Sequence, residues 1–578
     1  MLKKFLPLVK GYGLRAILCS LFVACETVCE VFIPFLMKDI VDVGIPAGDL
    51  PYILRTGLYM VLLSLLALAF GALSGRFAAV ASTGFARNVR QRLFHSLQDY
   101  SFANIDRFST ASLITRLTVD VTNTQNAFMM IIRMLVRAPV MLVAASIMAV
   151  RINGELAVIF LFALPVLAIA LYTIARIAFP RFSQMLDKYD ALNAAIQEKL
   201  TGIRLVKAFV REDHEKESFR EAATTLQRYQ MRAEHVLIIN MPIMMFTMYS
   251  CIIAVFWLGG KQIIIGDMQA GELFSFISYI SQILMSLMMI SMVFISLVLS
   301  RASLGRIIEC LDEVPEIRDN ALLPGESAPQ MEDGSVEFRH VDFSYSKNPN
   351  NLNLHDINLR IESGMTVGIL GGTGSAKTTL VQLIPRLYDV TAGQLLVGGH
   401  DVREYRLNDL RNNVAMVLQN NLLFSGTIEE NLRWGNAEAT QEEIEQACRA
   451  AQAHDFILSF PKGYQTELGQ AGVNVSGGQK QRLCIARALL KRPKIIILDD
   501  STSAVDTMTD AAIRSAFRRE FRDTTAIIIA QRIASVMDAD MIVVLEEGGI
   551  AACGSHAQLM ESSPLYREVY ESQQKGVA

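Results

Sequence analysis

At 578 residues the chain is too long for a single core and implies at least two domains. It is 52% hydrophobic and only 19% charged, with mean hydropathy +0.32, where a soluble enzyme carries roughly 25% charge. The net charge of −3, without a basic arm or low-complexity tract, points away from nucleic acid.

The start, MLKKFLPLVKGYGLR, is basic and amphipathic, and the apolar run behind it is too long for a cleavable signal. It reads as an interfacial helix leading into a first membrane span. Six stretches are long and apolar enough to cross a bilayer, centred on Ala16–Met37, Tyr52–Gly75, Pro139–Arg151, Ala157–Ala175, Met241–Gly260 and Leu273–Ser300. The third extends back through Met129–Val136, with Arg133 and Arg137 placed near the inner boundary.

Spans two and three, and spans four and five, are separated by long segments rich in arginine and lysine, whereas the opposite loops are short and poor in them. The positive-inside rule then assigns the long segments and both termini to the cytoplasm. Ala81–Tyr100 and Gln184–Leu200 have helical patterning, so the spans continue beyond the bilayer and close in turns near Ser101–Ser109 and Arg204–Asp213.

Cys25 and Cys29 lie four apart in the first span without a nearby histidine and read as packing residues. Glu26 and Glu30 share one helical face there. Charge inside a span suggests a site for a cationic substrate, against the alternative of a polar face packed on a neighbouring helix near the outer leaflet. Methionines recur at helical spacing at positions 241, 244, 245 and 248, and again at 285, 288, 289 and 292. They suit either an adaptable binding surface or plain helix packing, and the second is the commoner use.

The organisation is therefore a membrane domain over residues 1–312, a Pro-, Gly- and acid-rich linker over 313–334, and an α/β domain over 335–578. Val367–Leu380, VGILGGTGSAKTTL, reads as strand, glycine-rich loop and helix. Such a P-loop, with Gly372, Thr373, Gly374, Ser375, Ala376, Lys377, Thr378 and Thr379, wraps nucleotide phosphates in backbone N–H groups. Lys377 neutralises charge and the Thr378 hydroxyl reaches Mg2+. Ile495–Asp500, IIILDD, is a buried strand whose Asp499 would share that metal ion. Between them Val475–Arg482, VSGGQKQR, opens a helix with Ser476, Gly477, Gly478 and Gln479, a second phosphate-binding helix start.

With this trio in this order, and with IDRFSTASLITRLTVDV at Ile105–Val121 and EKLTGIRLVKAFVREDHE at Glu198–Glu215, the chain resembles a bacterial type IV ABC exporter subunit, multidrug-exporter-like, over nearly its whole length. The resemblance implies six transmembrane helices fused to a P-loop nucleotide-binding domain, ATP and Mg2+ as cofactors, and coupling helices in the two cytosolic loops. It also implies that Tyr345 stacks on adenine, that Gln419 is the Q-loop residue and a metal ligand, that Ser503–Asp506 is the D-loop with Asp506 at the nucleotide, and that Gly469–Gly472 is the X-loop, with Gln470 where the family usually has Glu.

Three positions depart from the family. Asp500 stands where a glutamate orients the attacking water, Gln531 replaces the switch histidine, and Ala376 replaces the glycine before the P-loop lysine. A carboxylate one methylene shorter retreats by about 1 Å, a misplacement that costs on the order of 100-fold in rate. All three fall in the half-site built by this chain's own Walker motifs, while VSGGQ is intact. The expectation is one half of a heterodimeric exporter of amphipathic small molecules in a bacterial cytoplasmic membrane, hydrolysing ATP mainly at the partner's Walker site. The alternatives are a homodimeric exporter, an importer on the exporter fold, and a nucleotide-gated channel or regulatory subunit. No peptidase domain is expected ahead of Met1–Arg15.

Overall fold

The computed structural model describes residues 5–319, 328–500 and 507–575. The chain divides into two compact units: one takes residues up to Gln98 with Ser109–Glu313, the other takes Asp99–Phe108 with everything from Val314 onward.

Among the described residues, the first unit holds six helices long and apolar enough to cross a membrane. α1 (Gly13–Asp39) continues through a wide turn to Ala47, and α2 (Leu50–Gln98) runs for 49 residues. In the other unit, α3 (Phe102–Phe108) is a short helix. α4 (Val121–Ile152) begins from a helical lead at Thr110, and α5 (Gly154–Thr201) is 48 residues long. α6 (Ile203–Ala208), α7 (Glu212–Ile238), α8 (Asn240–Ile265) and α9 (Ala270–Asp312) complete the unit. At 1.5 Å per residue, α2 and α5 are each about 70 Å long, more than twice a hydrocarbon core. They project well past the bilayer, as the patterning over Ala81–Tyr100 and Gln184–Leu200 predicts.

Where the sequence suggested plain turns, α3 and α6 are helical. The Asn104 side chain explains the first, since its Oδ1 accepts from the Ser101 N–H and hydroxyl at 3.1 and 2.6 Å and holds the entry to the turn. Asn153 caps α5 in the same manner, accepting from Leu156 N at 3.0 Å, so that a short loop can reverse the chain.

The arginines and carboxylates of spans one and three lie together. Arg137 donates to Glu26 Oε1 at 2.5 Å and to both Glu30 carboxylate oxygens at 2.8 Å. Placing the arginine at one boundary and the carboxylates near the opposite leaflet is therefore incorrect. A side chain of α4 supplies the cation that the Glu26–Glu30 face calls for, which favours the packing alternative. The methionine stripes divide: Met244 is buried, Met248 and Met288 pack against the same core, and Met241, Met245, Met285 and Met292 are exposed on this chain. Further along, Asp120, fully buried, takes Arg306 at 2.7 and 2.5 Å and fastens α9 to the start of α4.

Among the described residues the second unit carries three sheets, the smallest a two-stranded pairing of Gly426–Thr427 with Glu467–Leu468. An antiparallel sheet contains β1 (Val336–Phe343), β2 (Leu354–Ile361), β4 (Ala392–Val397) and β5 (His400–Asp401) in the order β2-β1-β4-β5. A six-stranded sheet contains β3 (Thr366–Gly371), β6 (Val414–Val417), β7 (Ile495–Asp499), β8 (Thr525–Ile529), β9 (Met541–Glu546) and β10 (Gly549–Gly554) in the order β10-β9-β3-β8-β7-β6. It is parallel except for the β9–β10 hairpin. Its β7 and β8 are buried at every position, as the continuous IIIL and AIII runs require of strands covered on both faces. β3, β8 and β7 are neighbours, so their carboxyl ends come to one edge, where a ligand binds in such folds.

Candidate functional site: the carboxyl edge of the central sheet

β3 ends at Gly371, and the chain turns through 372–376 into α10 (Lys377–Leu383). The turn places Gly374 at φ +85° and Ala376 at φ +65°, ψ +25°. A left-handed backbone costs an L-residue roughly 1–2 kcal/mol, so Ala376 is strained where the family's glycine is free.

Lys377 curls back over the loop, its Nζ donating to Gly371 O at 2.9 Å and Gly372 O at 2.7 Å. Burial pushes its pKa down, against the pull of Asp499 and Asp500. A phosphate entering the loop would meet a cation already held at its centre. Thr378 Oγ1 donates to Asp499 Oδ1 at 3.0 Å. Asp499 is 2% exposed, and burial raises its pKa, a shift opposed by the Thr378 hydrogen bond and reinforced by the Asp500 charge.

This oxygen pair fits Mg2+. Two hard ligands in adjacent positions of an octahedron, each 2.0–2.1 Å from the ion, stand ~2.9 Å apart. No cluster of three or more His, Cys, Asp or Glu is placed to hold a metal ion among the described residues, so phosphate and water would complete the shell.

Asp500, next along, has φ +47°. Gln531, from the segment after β8, donates from Nε2 to Asp500 Oδ2 at 2.7 Å. Burial raises the Asp500 pKa, and the Gln531 hydrogen bond and Lys377 oppose it. Two of the three positions at which the sequence departs from the family are thus in direct contact. Gln573, on α12 (Pro564–Lys575), holds the same segment by both ends of its amide: Nε2 donates to Gln531 O at 2.9 Å and Oε1 accepts from Ile533 N at 2.8 Å. Nothing in the local sequence around Gln573 marks it, because its role comes from a contact 42 residues away.

Tyr345 is half exposed, with its hydroxyl 3.1 Å from Thr379 Oγ1 and its ring edge-on to Tyr388 at 5.1 Å. Tyr388 in turn donates to Asp106 Oδ2 of α3 at 2.7 Å and packs edge-on against Phe102. This aromatic relay was not legible in the sequence. Gln419 is exposed two residues past β6, and the Val417↔Leu498 register sets it beside the Asp499–Asp500 end of β7.

Ser476 caps α11 (Gly477–Leu490): its Oγ accepts from Gln479 N at 3.3 Å and its own N–H donates to Gln479 Oε1 at 2.9 Å. Gly477 is exposed beside it, and Gly478 is partly so. A cavity of ≈ 430 Å³ beside the loop is lined by Gly371–Ser375 and Gln531 but by none of residues 476–479. The structure thus gathers Lys377, Thr378, Asp499, Asp500 and Gln531 through contact and leaves the start of α11 outside that group. Gln470 begins a short turn ending at Gly472, with Ala471 at φ +54°. Ser503–Asp506, including Asp506, lies outside the described residues.

Residues 16–287 match the ABC transporter transmembrane region family, and residues 354–503 match the ABC transporter family. The chain is 36% identical to the uncharacterized ABC transporter ATP-binding protein YfiB of Bacillus subtilis, covering 99% of this chain and 98% of that one. It is 33% identical to the ATP-dependent lipid A-core flippase of Syntrophus aciditrophicus, over 84% of this chain and 80% of the other. Among solved structures, a bacterial Atm1-family ABC exporter with ATP bound superposes with TM-score 0.82 at 26% identity, over 97% of this chain and 98% of that chain. With full-length relatives on both measures, the chain belongs to the ABC transporter family, as an exporter-type half-transporter whose membrane region is fused to its ATP-binding domain.

Proposed function

We propose that this half-transporter works with a second, non-identical one, and that the pair exports amphipathic small molecules, drug-like or lipid-like, from the cytoplasm. The observation that carries the asymmetry is the Gln531–Asp500 hydrogen bond, which ties a shortened base to a side chain that replaces a titratable imidazole. The start of α11 keeps its capping box.

In this reading Tyr345 stacks on adenine, Gly372–Ala376 wrap the phosphates, Lys377 neutralises them, and Thr378, Asp499 and Gln419 hold Mg2+. Asp506 meets the nucleotide across the dimer. When bound, Mg2+ draws charge from the phosphate oxygens and fixes their geometry. Asp500 and Gln531 hold the base and switch positions without the reach for fast hydrolysis, so ATP binds here and persists. Ser476, Gly477, Gly478 and Gln479 complete the partner's site, where the helix N-terminus stabilises charge developing on the γ-phosphate. α3 and α6 serve as coupling helices. α6 and the residues just after it expose Leu205, Phe209 and Val210, an apolar tip suited to docking. Residues 1–312 form the membrane domain and 335–578 the ATP-binding domain, with both termini in the cytoplasm.

The likeness to the lipid A-core flippase and the Atm1-family exporter supports outward movement of amphipathic cargo. Co-expression and reconstitution test it. Inside-out vesicles holding the pair should accumulate an amphipathic dye against a gradient with ATP, and this chain alone should hydrolyse ATP at least tenfold more slowly than the pair. A homodimer as active as the pair overturns the heterodimer, and passive ion current without uptake overturns the pump.

A further inference from the structure

The segment after β8 carries Gln531 into the nucleotide site, two residues past Ile529, whose register partner is Asp499. The backbone then turns once through Ile533–Ser535, with Ser535 N donating to Arg532 O at 3.1 Å and Val536 N to Ile533 O at 2.9 Å. Such a turn has no acceptor for its own first N–H, and Ile533 is 1% exposed, so bulk water does not supply one. Gln573 does: its Oε1 accepts from Ile533 N while its Nε2 donates to Gln531 O. One amide thereby fixes the carbonyl of residue 531 and the N–H two residues on.

The far end of the segment has a separate hold. Ser535 Oγ donates to Asp510 Oδ2 at 3.2 Å, and Arg514 pairs with Asp510 and Asp538 at 3.3 and 3.4 Å, both Asp510 and Arg514 lying on the helix Thr507–Glu520. These contacts begin four residues beyond Gln531, which leaves its immediate backbone to Gln573. α12 is itself anchored on the face that makes the grip. Tyr566 is buried, with its hydroxyl 2.7 Å from His556 Nδ1, and Gln573 follows it by seven residues, two turns along the same side of the helix.

We propose that Gln573 is a positioning residue through which the chain distinguishes ATP from ADP at its own Walker site. Gln531 and the phosphate loop Gly371–Ser375 line one cavity, and Gln531 Nε2 rests on Asp500 Oδ2 at its edge. An amide held in that place has an N–H to offer a γ-phosphate oxygen, a charge-assisted bond. ADP lacks that oxygen and gains nothing from where residue 531 is held. The role rests on the proposed reading of residue 531 as the one facing the γ-phosphate, and not on the identity of the partner subunit.

The test uses the full-length chain in nanodiscs and compares the dissociation constants of ADP and the non-hydrolysable AMP-PNP, each with Mg2+, by titration calorimetry. Gln573→Ala should weaken AMP-PNP about fivefold and leave ADP within about twofold. Gln573→Glu, which still accepts from Ile533 N but cannot donate to Gln531 O, should retain part of the AMP-PNP preference. In the nucleotide-free protein, the Ile533 amide should exchange with deuterium about tenfold faster in Gln573→Ala. Equal weakening of both nucleotides shows general support of the fold and overturns the role, as does unchanged AMP-PNP binding or unchanged exchange. Gln531→Ala separates the two layers. If it spares the AMP-PNP preference, the reading of residue 531 fails and the role with it. If it removes the preference while Gln573→Ala does not, the role of Gln573 alone fails.

Discussion

Gln531 Nε2 donates to Asp500 Oδ2 across 2.7 Å, joining the side chain at the switch position to the one at the base position. Each oxygen so engaged is less available to orient water, and the amide keeps the same donor at every pH where an imidazole would titrate. Gln573 fixes the backbone on either side of this contact. On the proposed reading, this contact favours holding nucleotide over cleaving it.

The two nucleotide surfaces of the chain should respond unequally to substitution. In the assembled pair, Ser476→Phe should lower steady-state ATPase activity on the order of 100-fold, the scale of losing a donor aimed at developing charge. Asp500→Glu should change it by less than about threefold, because Gln531 remains. ATPase assays decide the matter. A harmless Ser476→Phe beside a severe Asp500→Ala would move the productive site to this chain's own Walker motifs.

Occupancy separates from turnover at Lys377. Lys377→Ala removes the ammonium that bridges Gly371 O and Gly372 O, the charge proposed to meet phosphate. Bound ATP per complex should fall by about half, with the partner's turnover retained in part. Equilibrium dialysis with labelled ATP after several cycles reads it directly, and unchanged stoichiometry would refute the assignment.

Ala376→Gly should stabilise the ATP-binding domain. A left-handed alanine costs ~1–2 kcal/mol, and a glycine returns roughly 0.5–1 kcal/mol of that as lost chain entropy. The expected gain is about 0.5–1 kcal/mol, seen as a higher unfolding midpoint. A lower midpoint would show that the alanine methyl, packed against the core behind the loop, matters more than its φ.

Changing Glu26 and Glu30 together to Gln leaves the half-buried Arg137 without a counter-charge, a loss approaching the roughly 3–5 kcal/mol of breaking a buried pair. Folded protein recovered by size-exclusion chromatography should drop sharply, and adding Arg137→Gln should restore much of it. If transport of a cationic dye fails instead while folding is normal, the carboxylates form a substrate site.

The phosphate loop was legible because its chemistry is local: strand, glycines, lysine and hydroxyl follow one another within 14 residues. Partners far apart in sequence were not. Nothing near Glu26 names Arg137, 111 residues on, and nothing near Gln531 names Gln573. Glu26 and Glu30 meet an arginine of this chain, and a linear sequence does not say which arginine crosses from which helix. Likewise, Tyr388 carries no motif of its own, and only its position between Tyr345 and Asp106 shows what it links.

The Arg137 pair also bears on how the chain enters the bilayer. During synthesis Glu26 and Glu30 emerge more than a hundred residues before Arg137, as the 107-residue separation shows. Each charge inserted alone burdens its helix by about 2.5–3.5 kcal/mol at the membrane centre. α1 therefore arrives as a helix whose insertion is incomplete in energetic terms, and α4 is the segment that completes it. A chain truncated before Arg137 would leave both carboxylates in the first span without the cation that meets them here.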